Sequence, residues 1–367
     1  MKRLWLTSVA LTALMAAPAM AADLPVSKAP PTVVTGGGIY AWVDGWWDQI
    51  NLPRVGLGFR ANGPAALAFP DNGVLHNLNQ RLNGSGGRAG IGYNVPGTNW
   101  RAELGFSYFH GSGTPSETGA WTVPAISVQL LNGSGQVGFI CQGAFTCRTS
   151  SGLTSDITSW QLNGKVAYDG RMGVVLLSPS LAIFGGESRS HQSLSQAFSQ
   201  IAAATSVTVD SATYNADTSV NWTDIGARIG LDGNVDVAPW LTLGAGGYVG
   251  VASRRASFVG SDLANSTPAT IFNGASDISV SANTTAFVAN AEAGAAIKVT
   301  PLAAIRGFVG VNYDNRVPGI SSPSFTGSVN APTTRTPAAI LFAHETSYYA
   351  GGGIFVRLSP GPVYAKN

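Results

Sequence analysis

Between Thr223 and Val237 every second residue falls in one of two sets. Thr223, Ile225, Ala227, Ile229, Leu231, Gly233, Val235 and Val237 make an oily series, and Asp224, Gly226, Arg228, Gly230, Asp232, Asn234 and Asp236 lie between them. A period of two is the side-chain period of a β-strand, so the segment reads as one long strand with unlike faces. In a soluble sandwich the oily faces of two sheets meet inside. In a bilayer the arrangement inverts: alkyl groups face lipid, and polar groups line a lumen where water and counter-charges satisfy them.

Composition favours the inverted arrangement. Charged residues make up 11% of the 367 residues, 46 are Gly, and mean hydropathy is +0.16. A chain so poor in charge and still oily on average would ordinarily carry a spanning helix. Beyond the N-terminus, however, no run of about 18 apolar residues exists. The oily face is mostly Ala, Gly, Val and Ile, which suffices against fluid lipid tails but not for the interlocked core of a sandwich. The reading is an all-β fold, a transmembrane antiparallel β-barrel.

The N-terminus "MKRLWLTSVALTALMAAPAMA" has the parts of a signal peptide: Lys2 and Arg3, an apolar Leu4–Ala16 core, and Ala19-Met20-Ala21 as cleavage site. Residues 1–21 are therefore the expected leader and 22–37 a Pro/Gly-rich periplasmic tether. The barrel is expected over 38–358, with a periplasmic tail over 359–367. Removing the leader takes away two positive charges and leaves a near-neutral chain, which argues against a nucleic-acid partner. Cys141 and Cys147, close together in an exported chain, read as one disulfide stapling a loop.

Period-2 segments recur along the chain, at Ile39–Gln49, Arg88–Val95, Trp100–His110, Ile157–Tyr168, Val174–Ser188, the two halves of 223–251, Thr284–Val299, Ala303–Asp314 and Ile340–Leu358. Four short connections, "YNVPGTNW", "AYDGRMGV", "DVAPWLT" and "KVTPLAA", carry turn chemistry. Five long ones, Asn51–Gly87, Gly111–Asp156, Arg189–Asn221, Ser257–Asn283 and Asn315–Ala339, are rich in Ser, Thr, Asn and Gly. Short periplasmic turns alternating with long extracellular loops give about ten strands, with both chain ends on the short-turn side. Twelve strands is the alternative count, because "AWTVPAISVQLLNGSGQVGFICQ" has the pattern of a hairpin about Asn132–Gly135. In the ten-strand reading that hairpin stands above the membrane. Trp46, Trp47, Trp100, Trp160, Trp222, Trp240 and Tyr348 lie near strand ends, as interfacial girdles do.

The polar faces predict a lumen lined by Arg88, Arg101, Lys165, Arg228, Lys298, Arg306 and Arg357. Facing them are Asp44, Asp48, Glu103, Asp224, Asp232, Asp236, Glu292, Asp314 and Glu345. With both signs inside a narrow barrel, these groups either filter solutes or fill the bore as a hydrogen-bonded network.

The segments "ADLPVSKAPP" following "APAMA", and "GARIGLDGNVDVAPWLTLGAGGYVGV", resemble alphaproteobacterial outer-membrane β-barrel proteins of the porin-like surface-antigen kind. The resemblance implies the Gram-negative outer membrane as location, with modest solute permeability. It also implies outer-membrane lipid, lipopolysaccharide and the barrel-assembly machinery as partners. Two features depart from that family's pattern. The chain runs on through "SPGPVYAKN" instead of ending in an aromatic strand, and the first strand, "GGGIYAWVDGWWDQINLP", is unusually rich in Trp.

The functional expectation is a porin-like passive channel for small solutes or a structural surface protein. Surface recognition of an extracellular ligand through the long loops is the alternative, and a rim-sited hydrolase the second. For the hydrolase, "GESRSHQS" offers Glu187, His191 and Ser193 with Asp224 nearby; "FHGSGTPSE" offers His110, Ser112 and Glu117; "AHETS" offers His344 and Glu345. None forms a catalytic motif, so no catalytic residue is assigned, and no cofactor or metal is expected.

Overall fold

The computed structural model describes residues 38–61, 68–69, 74–121, 125–134, 136–140, 145–202, 208–267, 274–328 and 331–358. The expected leader, tether and tail lie outside the described residues, as does Cys141 of the expected disulfide.

Ten long strands form one antiparallel ring. In chain order they are β1 (Gly38–Ala61), β2 (Val74–Asn94), β3 (Trp100–Gly113), β4 (Phe145–Tyr168), β5 (Val175–Ala202), β6 (Thr208–Ala238), β7 (Leu241–Thr267), β8 (Gly274–Thr300), β9 (Ala303–Ser321) and β10 (Ala339–Arg357). Each pairs with the next, and β10 closes on β1 from Tyr40↔Arg357 to Gln49↔Tyr348. The all-β antiparallel barrel with ten strands is therefore present as expected. The expected tight connections are there too. Ala238↔Leu241 and Thr300↔Ala303 leave only Pro239-Trp240 and Pro301-Leu302 between strands, with a register shift beside each turn. Proline presets the φ that the first turn residue needs. Between β2 and β3, Gly97 adopts φ 72°, a left-handed conformation open to glycine.

Around the lower half, Leu104, Ile183, Ile225, Ile229, Val309 and Ile354 point outward, each more than half exposed. Outward aromatics rim this belt: Tyr93, Trp100, Tyr168 and Trp240 by the tight turns, and Trp47, Tyr108, Trp160 and Tyr348 at the other edge. Trp46 and Trp222 do not join them, contrary to the girdle reading. Trp222 is 6% exposed inside the barrel, and Trp46 packs against the core.

The five long connections are mostly not loops. β5 runs on to Ala202 and β6 begins at Thr208, so Arg189–Asn221 is largely a continuation of two paired strands. The alternation persists there with its polarity reversed. Along β6 the inward Ala212, Tyr214, Ala216, Val220 and Trp222 are buried, while Thr213, Asn215 and Asp217 face out. Below Trp222 the same inward face carries Asp224, Arg228 and Asp232, and the outward face Ile225, Ile229 and Leu231. A strand that changes which face is oily loses its overall amphipathic signature, and the polar outer half then reads as loop.

The inner apolar residues form one cluster drawn from nearly every strand, including Ile50, Leu82, Leu153, Phe198, Val220, Phe258 and Val317. Above the belt the ring divides. β8 and β9 pair only from Val288↔Asp314 downward, β10 and β1 only below Gln49↔Tyr348, and β2 and β3 only below Asn83↔Ser112. The upper parts become a β1–β2 hairpin, a β4–β8 sheet and a β9–β10 hairpin, packed on one another through the apolar cluster.

The questioned hairpin exists, Ala125–Gln129 pairing with Gln136–Ile140 outside the ring, so the ring keeps ten strands. It does not simply stand clear above the barrel. Its turn dips into the mouth, where Val128, Leu130 and Leu131 join the core. There the Leu131 N–H donates to Asp262 at 2.8 Å, and the Ala338 N–H donates to the Leu131 carbonyl at 2.8 Å.

Candidate functional site in the bore

Strand alternation turns the charged series inward at belt height, and the ring brings remote charges into contact. Arg88 on β2 donates to Asp44 on β1 at 2.7 Å and reaches Glu292 on β8 at 2.9 Å. Arg306 on β9 clasps both oxygens of Asp44 through Nε and Nη2, sharing Oδ2 with Arg88. Both guanidiniums lie against the Phe308 ring, at 4.7 and 5.6 Å from its centroid. Tyr349 donates to Glu292 at 2.9 Å and accepts from Asn290 at 2.8 Å.

Nearer the tight turns a second cluster centres on Glu103. Lys165 sits 2.7 Å from one carboxylate oxygen, and the Tyr40 hydroxyl donates to the other at 2.7 Å. Arg101 adds Glu103, Asp169 and Asp232 at 3.5, 3.6 and 3.7 Å, and Lys165 is also 3.7 Å from Asp232. Lys298 and Asp236 pair at 2.8 Å by the rim. Arg228 uses aromatic faces instead, 4.3 Å from the centre of Tyr248 and 5.4 Å from Phe184.

At the upper edge of the belt, Arg254 on β7 holds Asp224 and Asp314 at 2.7 Å each and donates to the Arg316 carbonyl at 2.6 Å. Its side chain is 2% exposed. Glu345 lies opposite Asp314 in the β9–β10 register. Asp48 accepts from Ser347 at 3.4 Å through one oxygen, and its other oxygen has no hydrogen-bond partner among the described residues. Arg357, opposite Tyr40, makes no ion pair among the described residues.

Three features of this site escaped the sequence reading. Arg254 lies in "VASRRASF", past the point where the outer polarity changes, so its face was ambiguous; pairing Asp224↔Arg254 across β6 and β7 identifies it. Tyr40 and Tyr349 are strand aromatics that point inward, each over a glycine on the next strand. A Cβ at Gly92 would overlap the Tyr40 ring, and one at Gly310 the Tyr349 ring. Aromatics opposite glycines in "GIYAW" and "RAGIGY" are the available signal.

The arrangement is one of mutual neutralisation: carboxylates at the bore wall are bridged by cations from the same strand or from strands up to four positions away around the ring. Above it the apolar cluster crosses the bore. Among the described residues the rim histidines and the acids named with them take separate positions, and the Glu117 side chain lies outside the described ones. Asp224 points inward to Arg254 while His191 sits on the outer face, so alternation separates the pair. His191 meets Ser219 at 3.3 Å and Asp217 at 3.6 Å through the same nitrogen, Nδ1, whereas a triad uses both ring nitrogens. His110 contacts Thr158 at 3.4 Å, and His344 and Glu345, being adjacent in a strand, face opposite ways.

No protein-family model matches the chain, and no curated protein matches it by sequence. Among solved structures, it is similar to the outer membrane protease OmpT from Escherichia coli at 10% identity, over 88% of this chain and 96% of that one, with TM-score 0.36. It is similar to the translocator domain of the autotransporter NalP from Neisseria meningitidis at 13% identity, over 96% and 98%, also at 0.36. Neisserial surface protein A aligns at 10% identity over 88% and 99%, with TM-score 0.27. The barrel assignment stands on ring closure between β10 and β1.

Proposed function

We propose that the chain is a Gram-negative outer-membrane β-barrel that acts as a surface protein: a closed stem in the membrane carrying a folded head for recognition or structural contact outside. The carrying observation is the reversal of polarity along β6. From Ile225 to Val237 the outward series fits hydrocarbon, spanning roughly 30 Å at about 3.3 Å per residue with barrel tilt. Above Trp222 the outward series fits water, and the inward one forms a core that occupies the bore. The tight turns at the other end belong to the periplasmic side, consistent with an exported leader.

A core across the bore and charge pairs beneath it favour the surface reading over passive solute flow. Reconstituted in planar bilayers, the protein should give no steady conductance. A stable, ion-selective current would replace this reading with the porin-like one.

A further inference from the structure

The division between β8 and β9 leaves one edge in an unusual state. Along β8 from Asp277 to Thr285 every residue pairs with β7 on one side, without a register shift. Among the described residues no strand pairs on the other side. The Phe287 N–H points to that free side, since it donates to the Asn315 side chain at 2.7 Å. With the two-residue period, Asp277, Ser279, Ser281, Asn283 and Thr285 turn their main-chain N–H and C=O groups the same way. Free edges are ordinarily blunted by Lys, Pro or bulges. The facing bank has such devices in Arg316, Pro318 and the irregularity between Asp314 and Val317. The β8 stretch "DISVSANTT" has no Lys, Pro or bulge, only Asp277 at its upper end, and carries the strand-forming Ile278, Val280, Thr284 and Thr285.

The core is also incompletely covered here. Inward Phe258 and Ala256 on β7 are 0% exposed, but at neighbouring height Ile278 and Val280 on β8 are only partly buried, like Ile320, Ile340 and Phe342 across the gap. The lower end of the opening is flanked on the outer surface by Arg255, which is opposite Asn283 in register, and by exposed Arg316. Neither guanidinium has an ion-pair partner among the described residues.

We propose that the β8 edge between Asp277 and Thr285 is a docking site for an extended strand of another protein, apolar at alternate inward positions and acidic on its outer face near Arg255 and Arg316. Main-chain groups at strand spacing with no strand partner among the described residues call for a polypeptide. The half-covered Ile278 and Val280 call for its apolar alternation, and the two arginines for its charge. A second copy in the same membrane fits poorly, because the axis relating the two would turn its polar outer face over the first copy's apolar inner one. The inference deepens the surface reading and rests on it.

The probe is a fluorescent nine-residue peptide of alternating Val and Thr with Asp at the outward end positions, titrated by anisotropy against the detergent-solubilised protein. Saturable binding is expected, weakened at least about tenfold by Ser281→Pro and several-fold by the double change R255E/R316E, and retained in Ser281→Thr. Since the Ser281 N–H faces the free side, proline there removes no bond to β7, and heat-modifiable electrophoresis checks that the ring still closes. Should Ser281→Pro fail to fold, a peptide N-methylated at alternate residues removes the same bonds with the protein unchanged, and it should not bind. Absence of saturable binding, or binding indifferent to both Ser281→Pro and N-methylation, overturns the proposal. Displacement by palmitate with that same indifference would give the slot to an acyl chain instead. Each of these can occur while the bilayer stays silent, so failure of the docking site is distinct from failure of the closed-bore reading.

Discussion

Asp262 shows how much one buried carboxylate organises. It accepts from Tyr214 at 2.9 Å, from the Leu131 N–H at 2.8 Å and from Ser276, so β6, β7, β8 and the inserted turn meet on one side chain. Asp262→Asn keeps the shape but loses the charge, and should lower unfolding stability by about 1.5–3 kcal/mol, the worth of a charged hydrogen bond; urea titration followed by Trp fluorescence measures it. Burial, and then the adjacent Asp262, push the Tyr214 phenol well above its ordinary range. A raised pKa means that the folded state favours the neutral phenol. Its contribution is therefore complete below about pH 10 and declines as pH rises beyond that, where the unfolded chain ionises first. Tyr214→Phe should remove this part of the alkaline loss in a stability–pH series. Arg254 is the other such residue: Arg254→Met strands Asp224 and Asp314 facing each other in the bore and should cost about 3–5 kcal/mol.

For a whole strand, the decisive property is where its polarity reverses. Ile225→Lys should cost about 2–4 kcal/mol if the belt meets hydrocarbon, whereas Ser219→Lys, three residues above Trp222 on the outer face, should be within about 0.5 kcal/mol of neutral. Folding into lipid vesicles at graded urea concentrations compares the two. The same reversal explains what was legible in the sequence. Below Trp222 the alternation, with the short turns and long connections counted along the chain, identifies the strands and a ring of about ten. Above Trp222 the outward Thr213, Asn215, Asp217 and Ser219 are the residues of a soluble surface, and their Ser/Thr/Asn content mimics loop. Inward Trp222 and Trp46 read as girdle residues from the sequence because proximity to a strand end does not specify a face. Which cation meets which carboxylate was not legible either. Arg88 and Glu292 are 204 residues apart, and only ring closure makes them neighbours.

The molecule as a whole has two solvents and one wall. The outer wall is apolar around its lower half and largely polar around its upper half, and the Arg254 cluster sits where the two regimes meet. Removing the hairpin around Leu130 and Leu131 should destabilise the head and leave the belt folded. Protease resistance of the ring in detergent, with faster cleavage of the upper strands, would register that division; loss of both together would mean that stem and head are one cooperative unit.

The reversal at Trp222 also limits how such a molecule can reach its resting place. A water-faced head whose strands run some fifteen residues past the belt cannot slide through oil once it has folded, because its outer surface would have no partners on the way. On the outer-membrane reading the upper hairpins are expected to cross while the ring is still open, with closure between β10 and β1, the one seam joining strands remote in the chain, expected last. A disulfide engineered across that seam before insertion should trap the chain on the near side, because the last seam to close is the door through which the head has to leave.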